Sequence, residues 1–248
     1  MFQMLNDKEE PPAILSISVN DAVKAKPVGM GNQSPEMTPE ERNLRVKNEY
    51  EKLLKLYVHP HLKPGRWISG KADLERVLKE AHEMILLCNV PRGRQAGGAH
   101  AIAHTQVCNT DPLRFFVLQN GMVVINPIIV NHTNYSVFKK EGCMSFPDDP
   151  MKEMVSRYHK VVAMFQSFAK KDDGTVVLTK PMTEHLTGMM AEIFQHECQH
   201  CNGHYIYDVD HGPEQCLWLP EGMPLNLDEL SALYEEEKHE EKNNNGVV

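Results

Sequence analysis

The sequence predicts an α+β fold in which antiparallel or mixed β-sheets surround one central helix. Three observations carry this expectation. Helix-period and strand-like segments fall in blocks along the chain, so a parallel sheet wound by alternating strands and helices is not implied. Asn120-Gly121 and Asp172-Asp173-Gly174 each separate runs rich in β-branched and aromatic residues, the signal of a hairpin. A helical segment late in the chain carries its densest set of metal-ligating side chains, the stretch QHECQHCNGH at 195–204.

The elements follow in order. Residues 1–43 form a polar extension with Pro11, Pro12, Pro27 and Pro35, expected to be partly ordered. Thr38, Pro39 and Glu41 make a capping box for a helix over 39–57, with Leu44, Tyr50, Leu53, Leu54 and Tyr57 on its apolar face. The main domain is expected over 44–240. Leu74, Val77, Leu78, Ala81, Ile85 and Leu86 recur at helical spacing and predict a helix over 71–88 that Pro91 closes off. RFFVLQ and MVVINPIIV read as hairpin strands around Asn120-Gly121; KVVAMFQSF and TVVLTK read as a second hairpin. A long helix follows over 183–201, with Thr183 as its cap and Gly203 just past its end. A last, acidic helix starts at Asn226, and 241–248 is a flexible tail.

Bulk properties narrow the class. The chain has 248 residues and a net charge of -8, which argues against a nucleic-acid surface. No run of 18 or more apolar residues is present, so no membrane partner is expected. Six cysteines at irregular spacing in a chain this long do not make a disulfide framework, and they read as reduced thiols in an intracellular protein. Cys88, Cys108 and Cys216 read as small buried hydrophobes. The N-terminus has no apolar signal core, and Asp7, Glu9 and Glu10 do not fit an acid-poor transit peptide.

His196-Glu197-x-x-His200 is an H-E-x-x-H pattern. Four residues along a helix rotate a side chain by only roughly 40° net. Both imidazoles therefore leave one face a turn apart, as two ligands of one ion must, and Glu197 stands beside them as a general base. A hydrolytic site of this kind takes three protein ligands. The spacing that would supply a third histidine within the helix motif fails, because position 206 is Ile. Glu214 and Glu221 lie downstream. Cys198 and Cys201 have no second C-x-x-C to complete a structural site, and Cys198 points away from His200 around the helix. Upstream, Cys143 follows Gly142, and a thiolate is a sound ligand for a dication.

Glu141-Gly142-Cys143-Met144-Ser145 and Gln195-His196-Glu197-Cys198-Gln199-His200 together resemble the E-G-C-L-S and Q-H-E-x-D-H motifs of the peptide deformylases. Ile125-Asn126-Pro127, Pro147, the stretch from Arg157 to Val161, Gly203 and Asp208 extend the likeness, which covers about 55 to 240. The resemblance implies a metal-dependent hydrolase that removes the N-formyl group from the formyl-methionine of newly made polypeptides. It implies Cys143, His196 and His200 as ligands of one divalent ion, Fe2+ in the family, with Zn2+, Ni2+ or Co2+ able to substitute. Glu197 is then the base that activates water. The oxyanion falls to the metal, the Met144 backbone N–H and the Gln106 amide. Glu141 pairs with Arg157 as a support for the Cys143 loop, and Ala99, His100, Ala101 and Gly142 lie along the substrate. The expected partners are formylated nascent peptides. For the compartment, the family implies a mitochondrion or plastid in a eukaryote, and otherwise the cytoplasm.

Two departures stand out. The family's G-φ-G-φ-A-A-x-Q reads Ala99-His100-Ala101-Ile102-Ala103-His104-Thr105-Gln106 here. Glycine lets a peptide backbone approach closely, and each added methyl is expected to push it away. Gln199 stands where the family has Asp and cannot supply that negative charge beside the metal ligands. The acidic final helix also departs from the basic helix with which bacterial relatives dock on ribosomes. These changes define the alternative, a deformylase-fold protein without deformylase turnover, acting as a binding or structural module or on another substrate.

Overall fold

The computed structural model describes residues 62–89, 98–133, 136–146, 152–171 and 175–208. The expected N-terminal extension, the helix over 39–57, the acidic final helix, the tail, and Cys216, Glu214 and Glu221 lie outside the described residues. The order of elements is helix α1 (Gly70–Cys88), strand β1 (Ala101–Ala103), the single turn α2 (His104–Val107), β2 (Phe115–Leu118), β3 (Val123–His132), β4 (Ser136–Glu141), β5 (Lys152–Tyr158), β6 (Lys160–Gln166), β7 (Phe168–Lys170), β8 (Val176–Leu178), β9 (Met182–Thr187) and helix α3 (Gly188–Cys201). Among the described residues, no helix is long and apolar enough to cross a membrane.

Five strands form the main sheet in the order β1-β2-β3-β6-β9, and every pairing is antiparallel. The continuous apolar run of β2 is explained by burial on both faces. Phe115 and Val117 meet α1, while Phe116 and Leu118 meet α3. The sheet is thus a middle layer between two helices. α1 contributes Leu74, Val77, Ala81 and Ile85 to one core, and α3 contributes Ala191, Phe194, Cys198 and Cys201 to the other. Each large aliphatic or aromatic side chain among these, fully buried, stabilises the fold by about 1.5–3 kcal/mol. On α1 the buried stripe runs through Met84 and Cys88 at helical spacing, and Leu86, expected on it, sits at its margin.

Two expectations are corrected. KVVAMFQ is not one arm of a hairpin with TVVLTK. It is β6, a strand of the main sheet between β3 and β9, and only Phe168–Lys170 pairs with Val176–Leu178. Apolar alternation marks a strand but not its partner. The long helix also starts late. Residues 182–187 are β9, paired with β6 with Thr183 opposite Met164, so Thr183 caps nothing. The helix begins at Gly188, after Thr187, whose side chain makes no capping bond.

The far end of α3 is held by several contacts. The Gly203 N–H donates to the His200 carbonyl at 2.9 Å and the His204 N–H to the Gln199 carbonyl at 3.0 Å. This is the paired closure of a helix on a left-handed residue, and Gly203 has φ +89°. Arg114, wholly buried, donates to the Pro127 carbonyl through Nε and Nη2 at 3.1 and 2.9 Å and to Asn202 Oδ1 at 2.8 Å. A cation at a helix C-terminus is favoured by the helix dipole. Arg114 thereby ties the end of α3 to the bulged middle of β3. There Asn126, at φ 53°, takes the left-handed conformation and bonds both the N–H and the carbonyl of Ile68 at 2.9 Å.

Candidate active site

The E-G-C stretch ends β4 and opens a turn closed by the Phe146 N–H on the Cys143 carbonyl at 2.9 Å. Cys143 and Met144 are both buried in this turn, and Met144 leans its side chain into the core beneath α1. Helix α3 passes alongside. The result is that Cys143 Sγ, a His196 ring nitrogen and a His200 ring nitrogen all lie within 4.8 Å of one another. Nε2 of His200 is 2.9 Å from Nε2 of His196 and 3.4 Å from Cys143 Sγ.

The other ring nitrogens fix what these three atoms can do. His200 Nδ1 donates to the His204 carbonyl at 2.8 Å, since a carbonyl only accepts. His196 Nδ1 donates to Glu141 Oε2 at 2.9 Å. Each Nδ1 therefore carries a proton, and each Nε2 is left to present a lone pair to the shared point. Two such nitrogens do not approach to 2.9 Å without positive charge between them. A proton or a metal cation meets that need. Burial works against charge on His196, but Cys143 and Glu141 outweigh it and hold its pKa up to about 10. Burial pushes His200 well below the usual histidine range. The donor set of one thiolate sulfur and two imidazole nitrogens fits a divalent metal of the Fe, Co, Ni or Zn type.

Glu197 is 4% exposed and turns Oε2 toward no hydrogen-bond partner. Burial is the main cause that pushes its carboxyl up to about 7. A buried, unpartnered oxygen of this basicity beside the ligand cluster is suited to exchanging a proton near neutral pH. Gln106 comes from the opposite side. Its Oε1 accepts from the Ala103 N–H at 2.9 Å, which turns its Nε2 toward the Cys143 turn, 3.0 Å from Ser145 Oγ and 3.7 Å from Cys143 Sγ. Strand β1 stops at Ala103, and Gln106 sits on the turn α2.

Glu141 and Arg157 lie against each other in a two-pronged ion pair at 2.8 and 2.7 Å, both buried. Although burial opposes it, His196 and Arg157 hold the Glu141 carboxyl down to about 2. Glu141 thus orients His196 directly, which reading it as loop support missed. A carboxylate one residue before the Gly-Cys pair was the available signal. Gln199 accepts from Arg157 at 3.1 Å and donates to the Tyr205 carbonyl at 3.1 Å. An Asp there could not make the second bond, so the amide here bridges the ion pair to the loop after α3.

The remaining expected residues fall as follows. Ala99 and Ala101 are buried, the first packed with α1 and the second with the core beneath α3. Their methyls fill the interior. The expected steric push against a peptide is therefore corrected, because the Cβ atoms leave a strand above and below its plane. β1 is the edge of the main sheet, with β2 on one side and, among the described residues, no strand on the other. His100 is exposed beside β1, and Gly142 is half-buried next to Cys143. Gly98 anchors the entry to β1 with φ +77°, and a Cβ there would come within 2.1 Å of the Cys88 carbonyl oxygen. Cys198 and Cys201 are core residues, and burial raises the Cys201 thiol to about 12. His204 contributes its carbonyl to His200. No side-chain pattern announces a backbone acceptor of that kind.

Residues 99–215 match the family model for polypeptide deformylase. The chain is 32% identical over 107 residues to peptide deformylase 2 of Shewanella oneidensis, covering 43% of this chain and 53% of that protein. It is 34% identical over 98 residues to the peptide deformylase of Thermotoga neapolitana, covering 38% and 53%. The chain thus spans about half the length of the curated relatives it matches. Among solved structures, the peptide deformylase of Thermus thermophilus aligns over 74% of this chain and 95% of its own, with 22% identity and a TM-score of 0.44. That overlap is too loose to add to the sequence match.

Proposed function

We propose, from the premise that the chain belongs through residues 99–215 to the peptide deformylase family, that it hydrolyses the N-formyl group from N-terminal formyl-methionine of newly made polypeptides. The observation that carries the reading is the convergence of Cys143, His196 and His200 on one point, with the buried Glu197 carboxyl beside it, its Oε2 without a hydrogen-bond partner. A divalent ion held by those three side chains supplies Lewis acidity, which makes water acidic enough to ionise near neutral pH and polarises a carbonyl.

The protein's own groups do the rest. Glu197 takes a proton from the attacking water as its oxygen bonds to the formyl carbon. The same carboxyl then gives that proton to the leaving amine as the carbon–nitrogen bond breaks, and formate and a free N-terminus result. The Gln106 amide and the Met144 backbone N–H donate to the oxygen that becomes negative in between. Glu141 keeps His196 in the tautomer that a ligand needs. The edge of β1, unpaired among the described residues and flanked by His100, suits an extended peptide lying alongside. The metal is Fe2+ by family, with Zn2+, Ni2+ or Co2+ as substitutes.

Two of the changes that motivated a reading without turnover, the alanines of β1 and Gln199, are accommodated by packing. The added methyls are interior, and Gln199 has its own two partners. The test is to load the full chain anaerobically with Fe(II) or Ni(II), verify bound metal, and assay formate release from a formyl-Met tripeptide. Formate release supports the reading. Bound metal without formate release overturns it.

A further inference from the structure

α2 is a single helical turn, His104–Val107, yet it carries Gln106, whose amide the proposed reaction aims at a developing oxyanion. One turn has too few internal hydrogen bonds to hold its own shape, so its orientation depends on anchors. Its three leading side chains are all buried and reach three different elements. Thr105 Oγ1 donates to the His200 carbonyl on α3 at 2.9 Å. Gln106 faces the Cys143 turn. His104, 1% exposed, faces the other way.

Both ring nitrogens of His104 are committed. Nδ1 can only accept from the Leu113 N–H, at 2.8 Å, so it carries no proton. Nε2 then holds the hydrogen and donates it to Glu80 of α1. That bond is the leading cause holding the Glu80 carboxyl down to about 2, which makes the acceptor a carboxylate. Arg76 buttresses Glu80 from the outside at 2.9 Å, and the ring stacks on Phe115 with centroids 4.7 Å apart. His104 and Gln106 are two residues apart, roughly 200° around the turn, so they point in nearly opposite directions. A grip on one side of so small a turn sets the aim of the other.

We propose that His104 is a positioning residue for Gln106: its neutral ring, clamped between Glu80 of α1 and the Leu113 amide, sets the direction of the Gln106 side-chain amide toward the reacting centre. The kinetic readout rests on the deformylase reading; the positioning itself does not.

The experiment is a double-mutant cycle on the metal-loaded full chain with a formyl-Met tripeptide. His104→Ala lowers kcat by about tenfold or more, with KM and bound metal within about twofold, as a small misplacement of a working group does. In a Gln106→Ala background the same change alters kcat by less than about twofold, because an effect relayed through Gln106 has no carrier left. Glu80→Ala, at a side chain one-third exposed, reproduces the pattern at about threefold. It serves where His104→Ala does not fold. Unchanged kcat in the folded variants, or equal losses with and without Gln106, overturns the proposal. If the parent chain releases no formate, the deformylase reading fails and positioning is read by 15N NMR of the Gln106 side-chain amide. His104→Ala, or Glu80→Ala in its place, shifts or broadens that resonance if His104 aims it, and an unmoved resonance overturns the proposal.

Discussion

The two sides of the candidate site are built by different rules. On the Cys143–α3 side, each histidine of the cluster is fixed by a bond at its Nδ1, to Glu141 and to the His204 carbonyl. There the residues quoted for the family survive apart from Met144 and Gln199. On the β1–α2 side, four motif positions differ, at Ala99, His100, Ala101 and His104, and what matches is Ile102, Ala103, Gln106 and a backbone edge. The difference is physical. A ligand must be one of a few atom types at one place, so substitution is barred. A strand that works through its backbone tolerates new side chains wherever the interior can take them, as it takes the methyls of Ala99 and Ala101.

This contrast can be broken in four places, in order of expected effect. Glu197→Gln removes the proton acceptor while keeping its shape. Formate release from a formyl-Met tripeptide should drop by about a thousandfold in kcat/KM, with metal content unchanged by elemental analysis. Retained activity would remove Glu197 from the mechanism. Glu141→Gln leaves β4 able to fold but weakens the partner of His196. Metal affinity, measured by chelator competition, should fall by about ten- to a hundredfold. An unchanged affinity would mean that the His196 tautomer is set elsewhere.

Gln199→Asp installs the family residue and is the sharpest comparison of the two sides. It adds a second carboxylate near Arg157 but loses the donor to the Tyr205 carbonyl. Stability should fall by about 1 kcal/mol in denaturant melts, with metal affinity altered less than in the Glu141 variant. A gain in stability would show that the bond to Tyr205 contributes little. Ala101→Gly restores a family glycine on β1. If the methyl is interior, KM for the peptide stays put and stability drops by about 0.5–1 kcal/mol. A severalfold fall in KM at unchanged stability would return the methyl to the substrate path.

Much of this was legible in the sequence, and the boundary is informative. The helix over 71–88, the Asn120-Gly121 hairpin and the glycine past the metal helix follow from local chemistry, because periodicity, turn type and capping depend on neighbours in the chain. The spacing of His196 and His200 likewise puts two ligands on one helical face. Motif likeness pointed to Cys143, 57 positions before His200. Tertiary structure decided the rest. It assigned KVVAMFQ to the main sheet, ended β1 before Gln106, turned Glu141 onto His196, gave His200 a backbone acceptor, and turned His104 onto Glu80. Each of these depends on which distant atoms meet after the chain closes on itself. Side-chain periodicity specifies the face a residue presents; the partner on that face is set by packing and register across the whole domain.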